Sequence, residues 1–204
     1  IALALGIATD APMALQRMIP DYTASLEAST EGACEDGACE PEHEVQASTD
    51  FAQCARSGAK DCGTLPAIGA TEWLNSLGEP HGTVTLVDFW SSSCVNCARE
   101  IPEVERIYEK YKDAGLVVIG VHSPQQAHER DASVVSGAAS RLGITYPVAL
   151  DPELEAFKAY GANAWPTHYL AGPDGQLRSM GRGTSGLEEQ VRALLTEAGA
   201  TLPD

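Results

Sequence analysis

Cys94 and Cys97 enclose a dipeptide, Val95-Asn96, at the point where an apolar run gives way to a helical pattern. Two thiols three residues apart at a helix start are suited to reversible disulfide exchange. The first four backbone N–H groups of a helix lack partners within it, and the macrodipole is positive there, so a thiolate is favoured. A fall in thiol pKa from about 8.5 to about 7 raises the thiolate share at neutral pH from a few per cent to about half. Cys94, nearer the helix start, is the expected nucleophile. Cys97, one turn further in, is expected to resolve the mixed disulfide. A structural disulfide or half of a zinc site are the competing readings, but no His closely follows Cys97. Haem attachment would require His at position 98, which is Ala98.

The surrounding pattern supplies the scaffold. Residues 83–90 (TVTLVDFW) read as a buried strand. A helix follows from 94 to about 112, its apolar positions Ile101, Val104, Ile107, Tyr108 and Tyr111 recurring at three- and four-residue steps, with a kink expected at Pro102. Residues 116–121 (LVVIGV) read as a second central strand, 131–142 as a helix stopped by Gly143, and 144–150 as a short strand. Asp151 is expected to cap a helix with Pro152 at its first position and Gly161 past its end. Residues 167–171 and 176–180 flank Gly172-Pro173-Asp174-Gly175, a hairpin signal. Ser185 and Glu188 have capping-box spacing ahead of a last helix. This order implies an α/β domain with a mixed sheet.

With these residues in place, the stretch from Val87 through Asp88, Phe89, Trp90 and three serines to Cys94 and Cys97 resembles the active-site strand and helix start of the thioredoxin superfamily. The resemblance implies a thioredoxin-like fold with a mixed central sheet, flanking helices and an extra helix-strand insert at about 125–151. It implies that Asp88, six residues before Cys94, is a buried acid that exchanges a proton with Cys97. Burial would raise its pKa toward neutrality. Trp165-Pro166-Thr167 resembles the cis-proline loop that faces the dithiol. It implies that Trp90, Trp165, Pro166 and Thr167 contribute to substrate binding, with backbone beside Pro166 pairing with an extended peptide and Pro166 screening the dithiol from metals. Residues 72–76, 119–124 and 146–151 resemble the extracytoplasmic TlpA/DipZ-like branch, in which the domain can follow a transmembrane electron-transfer module of the cytochrome c biogenesis type. Relatives often carry an acid just after the second strand. Here that position is Gln125, and the tuning it provides is in question.

Outside that domain, residues 1–65 read as an acidic stalk and 66–204 as the thioredoxin-like domain. The apolar residues 1–8 (IALALGIA) are too few to span a bilayer, which takes about 20, and read as the end of a membrane helix, a signal-peptide remnant or an ordinary packed segment. A short amphipathic stretch at 13–26 is interrupted by Pro20. No Lys or Arg occurs from residue 18 to residue 55, and nine acids fall between Asp21 and Asp50, so this part offers little to offset its ordering entropy. A net charge of −16 excludes nucleic acid as a partner and argues against docking on anionic lipid. Six cysteines in three close pairs suggest an oxidising compartment, with Cys34/Cys39 and Cys54/Cys62 as structural disulfide candidates. A metal-binding stalk using Cys34, Cys39, His43 and neighbouring glutamates is the rival from another class. His122, His128 and His168 read as surface or packing residues. A peroxidase would need Pro-x-x-x-Thr-x-x-Cys, but Ser91 stands three residues before Cys94 and no proline precedes it at that spacing. The expectation is a thiol-disulfide oxidoreductase, acting on protein thiols and disulfides as a monomeric domain. No cofactor and no resident metal are expected, and an upstream transmembrane electron donor is. A membrane-tethered extracytoplasmic reductase is the leading reading and a disulfide-forming oxidase the alternative.

Overall fold

The computed structural model describes residues 42–57, 62–76 and 78–203. The apolar residues 1–8, the stretch 13–26, Cys34 and Cys39 lie outside the described residues, as does the side chain of His43. The compact unit containing the dithiol starts at Glu42.

Six strands form one mixed sheet in the order β1-β4-β3-β2-β5-β6. They are β1 (Trp73–Leu74), β2 (Val84–Trp90), β3 (Leu116–His122), β4 (Val148–Leu150), β5 (Thr167–Ala171) and β6 (Leu177–Gly181). The central strands β2, β3 and β4 are parallel, and β1, β5 and β6 add antiparallel edges. Strands β2 and β3 are apolar almost throughout because helices cover both faces, as parallel strands require. Alternation along β2 sends Val84, Leu86 and Trp90 into a core under helix α2 (Val95–Tyr111), while Val87 and Phe89 enter a second core on the other face. Helices α3 (Ala132–Leu142), α4 (Glu155–Ala159) and α5 (Leu187–Glu197) complete the layers, with α3 and α5 on the first core and α4 on the second.

Two local expectations are corrected. The helix after Asp151 begins at Glu155, not Pro152, because Leu154 takes a left-handed conformation. Asp151 instead accepts backbone N–H bonds from Ala156 and Phe157 across the turn. Ser185 does not cap α5. Gly186 occupies the N-cap, and Glu188 reaches Arg106 and the Tyr111 hydroxyl on α2. Helix α2 runs unbroken through Pro102.

The largest correction concerns the expected stalk. Residues Glu42–Ser57 form helix α1, with Phe51, Ala52 and Ala55 buried on the domain. The spacing of these three places them on one helical face. The Phe51 ring lies edge-on 5.8 Å from Tyr160, in an aromatic cluster with Phe89 and Tyr169. Gly161 makes this approach possible, since a Cβ there would come within 2.4 Å of the Ala52 carbonyl oxygen. A disulfide joins Cys54 to Cys62, and the chain that follows pairs Thr64 with Gln176 beside the β5–β6 hairpin. Helix α1 is thus held to the domain by packing and Thr64 by backbone pairing, while the Cys54–Cys62 disulfide ties the helix to the chain that leads to Thr64.

Candidate active site

Strand β2 delivers the chain to a tight serine turn, and Cys94 becomes the N-cap of α2. Its N–H donates to the Ser91 carbonyl, and its Sγ accepts from the N–H of Cys97 at 3.1 Å. Cys94 and Cys97 are joined as a disulfide. Cys94 keeps 8% of its surface exposed and Cys97 1%, so the first cysteine is the more accessible residue. Val95 between them is 71% exposed and sets an apolar side chain at the surface beside the pair.

Asp88 is buried, at 2% exposure. It alternates with Leu86 and Trp90, so it shares the sheet face that packs against α2, the face of Cys97. Its register neighbours are Gly120 on β3 and His168 on β5. A Cβ at Gly120 would collide with the Tyr146 ring at 2.8 Å, so glycine is what lets that phenol approach the acid. Burial raises the pKa of Tyr146 well above the ordinary phenol value, and the charge of Asp88 adds to it. The Tyr146 hydroxyl therefore stays protonated.

The Trp165–Pro166 peptide bond is cis. The Trp165 ring stacks on Phe157 at 4.5 Å and packs against both cores, and the Thr167 hydroxyl donates to the Ala164 carbonyl. Pro166 and Thr167 are buried. Trp90 is corrected. It is wholly buried, edge-on to His122, and has no surface to give a substrate.

Two further groups at the site were not read as functional from the sequence: Glu129, for which no role was expected, and His122, which was expected to be a surface or packing residue. Glu129, in a 3-10 turn (Ala127–Arg130), is 1% exposed. Its carboxylate accepts from the hydroxyls of Ser91 and Ser92 and from the N–H groups of Ser93, Gln125 and Gln126. Burial opposes its ionisation, but these bonds outweigh it and hold the pKa at about 2. Gln125 therefore contributes its backbone, and the acid in this region comes from four residues later. His122 accepts the Ser92 N–H through Nε2 at 3.1 Å, and burial pushes its pKa down to about 4, so the ring is neutral at pH 7. Only the three consecutive serines, an unusual run ahead of the dithiol, hinted that an acceptor must cover them.

His168, expected to be a packing residue, is buried between two acids. Its Nδ1 lies 3.2 Å from Asp88 Oδ1 and its Nε2 3.2 Å from Glu100 Oε2. Burial alone would favour the neutral ring, but the two carboxylates outweigh it and raise the pKa above the ordinary histidine value. Among the described residues no cluster of His, Cys, Asp or Glu is arranged to hold a metal ion, and no helix is long and apolar enough to cross a membrane.

The profile of the AhpC/TSA family matches residues 65–180. Protein DipZ of Mycobacterium bovis is 40% identical over 225 aligned residues, which take in the whole of this chain but only 32% of that protein, so the chain spans about a third of this relative. The thiol-disulfide oxidoreductase YkuV of Bacillus subtilis is 32% identical, over 63% of this chain and 91% of that protein. Among solved structures, a thioredoxin-like protein in its oxidised form aligns with a TM-score of 0.60 and 28% identity, covering 66% of this chain and 96% of that one.

Proposed function

The chain belongs to the AhpC/TSA family and is a thiol-disulfide oxidoreductase, and from that premise we propose that it acts as a membrane-tethered, extracytoplasmic reductase of protein disulfides. The observation that carries the direction is where the hydrogen-bond donors around Cys94 go. The N–H of Ser92 is taken by His122, those of Ser93, Gln125 and Gln126 by Glu129, and that of Cys94 itself by Ser91. The N–H of Cys97 points at Cys94 Sγ. A dithiol becomes a strong oxidant when its reduced, thiolate form is well stabilised. Here the N–H groups of the serine turn and of Gln125 and Gln126 are occupied, so the start of α2 is what remains to stabilise a Cys94 thiolate, and an ionised carboxylate sits on the turn.

In the proposed cycle the Cys94 thiolate attacks a substrate disulfide and releases one substrate thiolate. Cys97, deprotonated with the help of Asp88, then attacks Cys94 Sγ. The second substrate sulfur leaves with the bonding pair, and the protein is left with the Cys94–Cys97 disulfide. The backbone beside cis Pro166 and the exposed Val95 form the docking surface. An upstream transmembrane module restores the dithiol, as the resemblance to the DipZ-like branch implies. Two disulfides in the described residues suit an oxidising compartment. Substrates in the class of apocytochrome c or other exported thiol proteins fit this role.

Equilibration against a dithiothreitol or glutathione buffer measures the couple. A potential below about −200 mV is expected, between the thioredoxin and strong-oxidant limits and nearer the former. A value near −120 mV, that of a strong oxidant, overturns the reductase reading in favour of a disulfide-forming oxidase.

A further inference from the structure

The geometry points to His168 as the link in a proton relay that runs from Asp88 through its ring to Glu100 and solvent. The proposal rests on the reading of Asp88 as the group that exchanges a proton with Cys97, but not on the direction of electron flow.

A buried acid that takes a proton in each cycle must also lose it. Asp88 is 2% exposed and has no direct route to water. Its Oδ1 and the His168 Nδ1 are 3.2 Å apart, and neither atom has an aligned hydrogen bond in the structure. The strands fix this contact, since Asp88 and His168 are register partners across β2 and β5. The opposite ring nitrogen is 3.2 Å from Glu100, whose side chain is 24% exposed. His168 also lines a cavity of about 120 Å³, with Arg182, Ser179 and Gln190 among its walls. One imidazole thus touches the buried acid on one side and a solvent-reaching acid on the other.

The charged and titratable groups around this ring are Asp88 from β2, Glu100 from α2 and Arg182 just after β6, with Tyr146 facing Asp88 from the turn before β4. Tyr146 holds its proton, and the Arg182 guanidinium bonds to Asn163, so neither offers Asp88 an exit. During resolution the Cys97 S–H bond breaks and its proton goes to an Asp88 oxygen. With its ring in the neutral form, His168 then accepts the Asp88 proton on Nδ1 and gives its Nε2 proton to Glu100, which passes it to water. The Cys97 electron pair forms the Cys94–Cys97 bond, and the displaced substrate thiolate takes a proton from solvent. In the reverse direction every transfer runs backwards.

The test is single-turnover resolution of a mixed disulfide between Cys94 and a chromogenic thiol, followed by stopped flow from pH 5 to 9. His168→Gln and Glu100→Gln are each expected to slow resolution by about a hundredfold, the lower end of general acid–base assistance, and to displace its pH profile. His168→Ala with added imidazoles is expected to recover rate in proportion to imidazole concentration and basicity, a response that mere loss of packing does not give. Asp88→Asn is run alongside. If Asp88→Asn moves the profile while both His168 variants keep the wild-type profile and no imidazole rescue occurs, the relay is wrong and the Asp88 role stands. If Asp88→Asn leaves the profile unchanged, the reading on which the relay rests fails with it.

Discussion

Replacing Glu129 by Gln removes a charge from the turn ahead of Cys94 with almost no change in shape. A carboxyl that titrates near 2 in the folded protein, against an ordinary 4.5, favours folding by about 3 kcal/mol at neutral pH. The sign follows from the depressed pKa. The contribution is complete above 4.5, where an unfolded Glu129 is ionised, and is lost as pH falls through about 2. A glutamine resembles the protonated acid and also turns its NH2 toward donors, among them the Ser93 N–H at 2.7 Å. Glu129→Gln is therefore expected to be less stable than wild type by about 3 kcal/mol at pH 7, with the gap narrowing toward zero near pH 2. Urea unfolding of both oxidised proteins at a series of pH values reads this directly, and acids common to both cancel in the difference. A gap as wide at pH 2.5 as at pH 7 would refute the assignment of Glu129 as an ionised clamp.

Cys94→Ser is expected to abolish reduction of a model protein disulfide, whereas Cys97→Ser should accumulate mixed disulfides through Cys94. Preferential alkylation of Cys97 in the reduced protein would reverse these roles. Phe51→Ala is expected to cost about 3 kcal/mol in urea unfolding, since it empties a buried aromatic site between α1 and the Tyr160 ring. Unchanged stability would mean that α1 is a dispensable stalk.

Elements whose side chains repeat with a clear period were legible in the sequence. Residues 83–90 and 116–121 read as strands because both faces are buried, and 94–112 as a helix because its apolar stripe faces one core. Helix α1 escaped because its signal is only Phe51, Ala52 and Ala55 within an acidic stretch. Its burial depends on an aromatic cluster assembled from β2, β5 and α4 and their flanking residues, which no local pattern announces. The dithiol was legible because its chemistry lies in four consecutive residues. Glu129 and His168 were not. Each acts across 36 or more residues of chain, on Ser93 and Asp88 respectively. What makes His168 more than a core histidine is register across β2 and β5, a property of strand pairing and not of sequence spacing.

The two cysteines are served by separate electrostatic environments, and this divides the pH dependence of the cycle. Around Cys94, Glu129 stays ionised down to about pH 2 and His122 stays neutral above about pH 4. Neither changes charge between pH 6 and 9, so over that range the turn presents Cys94 with a constant field. Titration of the attacking step there belongs to the Cys94 thiol itself. Around Cys97 the situation is opposite. The carboxylates of Asp88 and Glu100 raise the His168 pKa above its ordinary value despite burial, so this ring, unlike His122, is not held neutral by its surroundings. Attack and resolution should accordingly show different pH profiles in one protein. The profile of attack should be indifferent to substitution at His168, and the profile of resolution should carry its imprint. A fold in which one strand supplies Asp88 and the turn after it supplies Cys94 can in this way keep nucleophile and proton exit apart while holding both beside one disulfide.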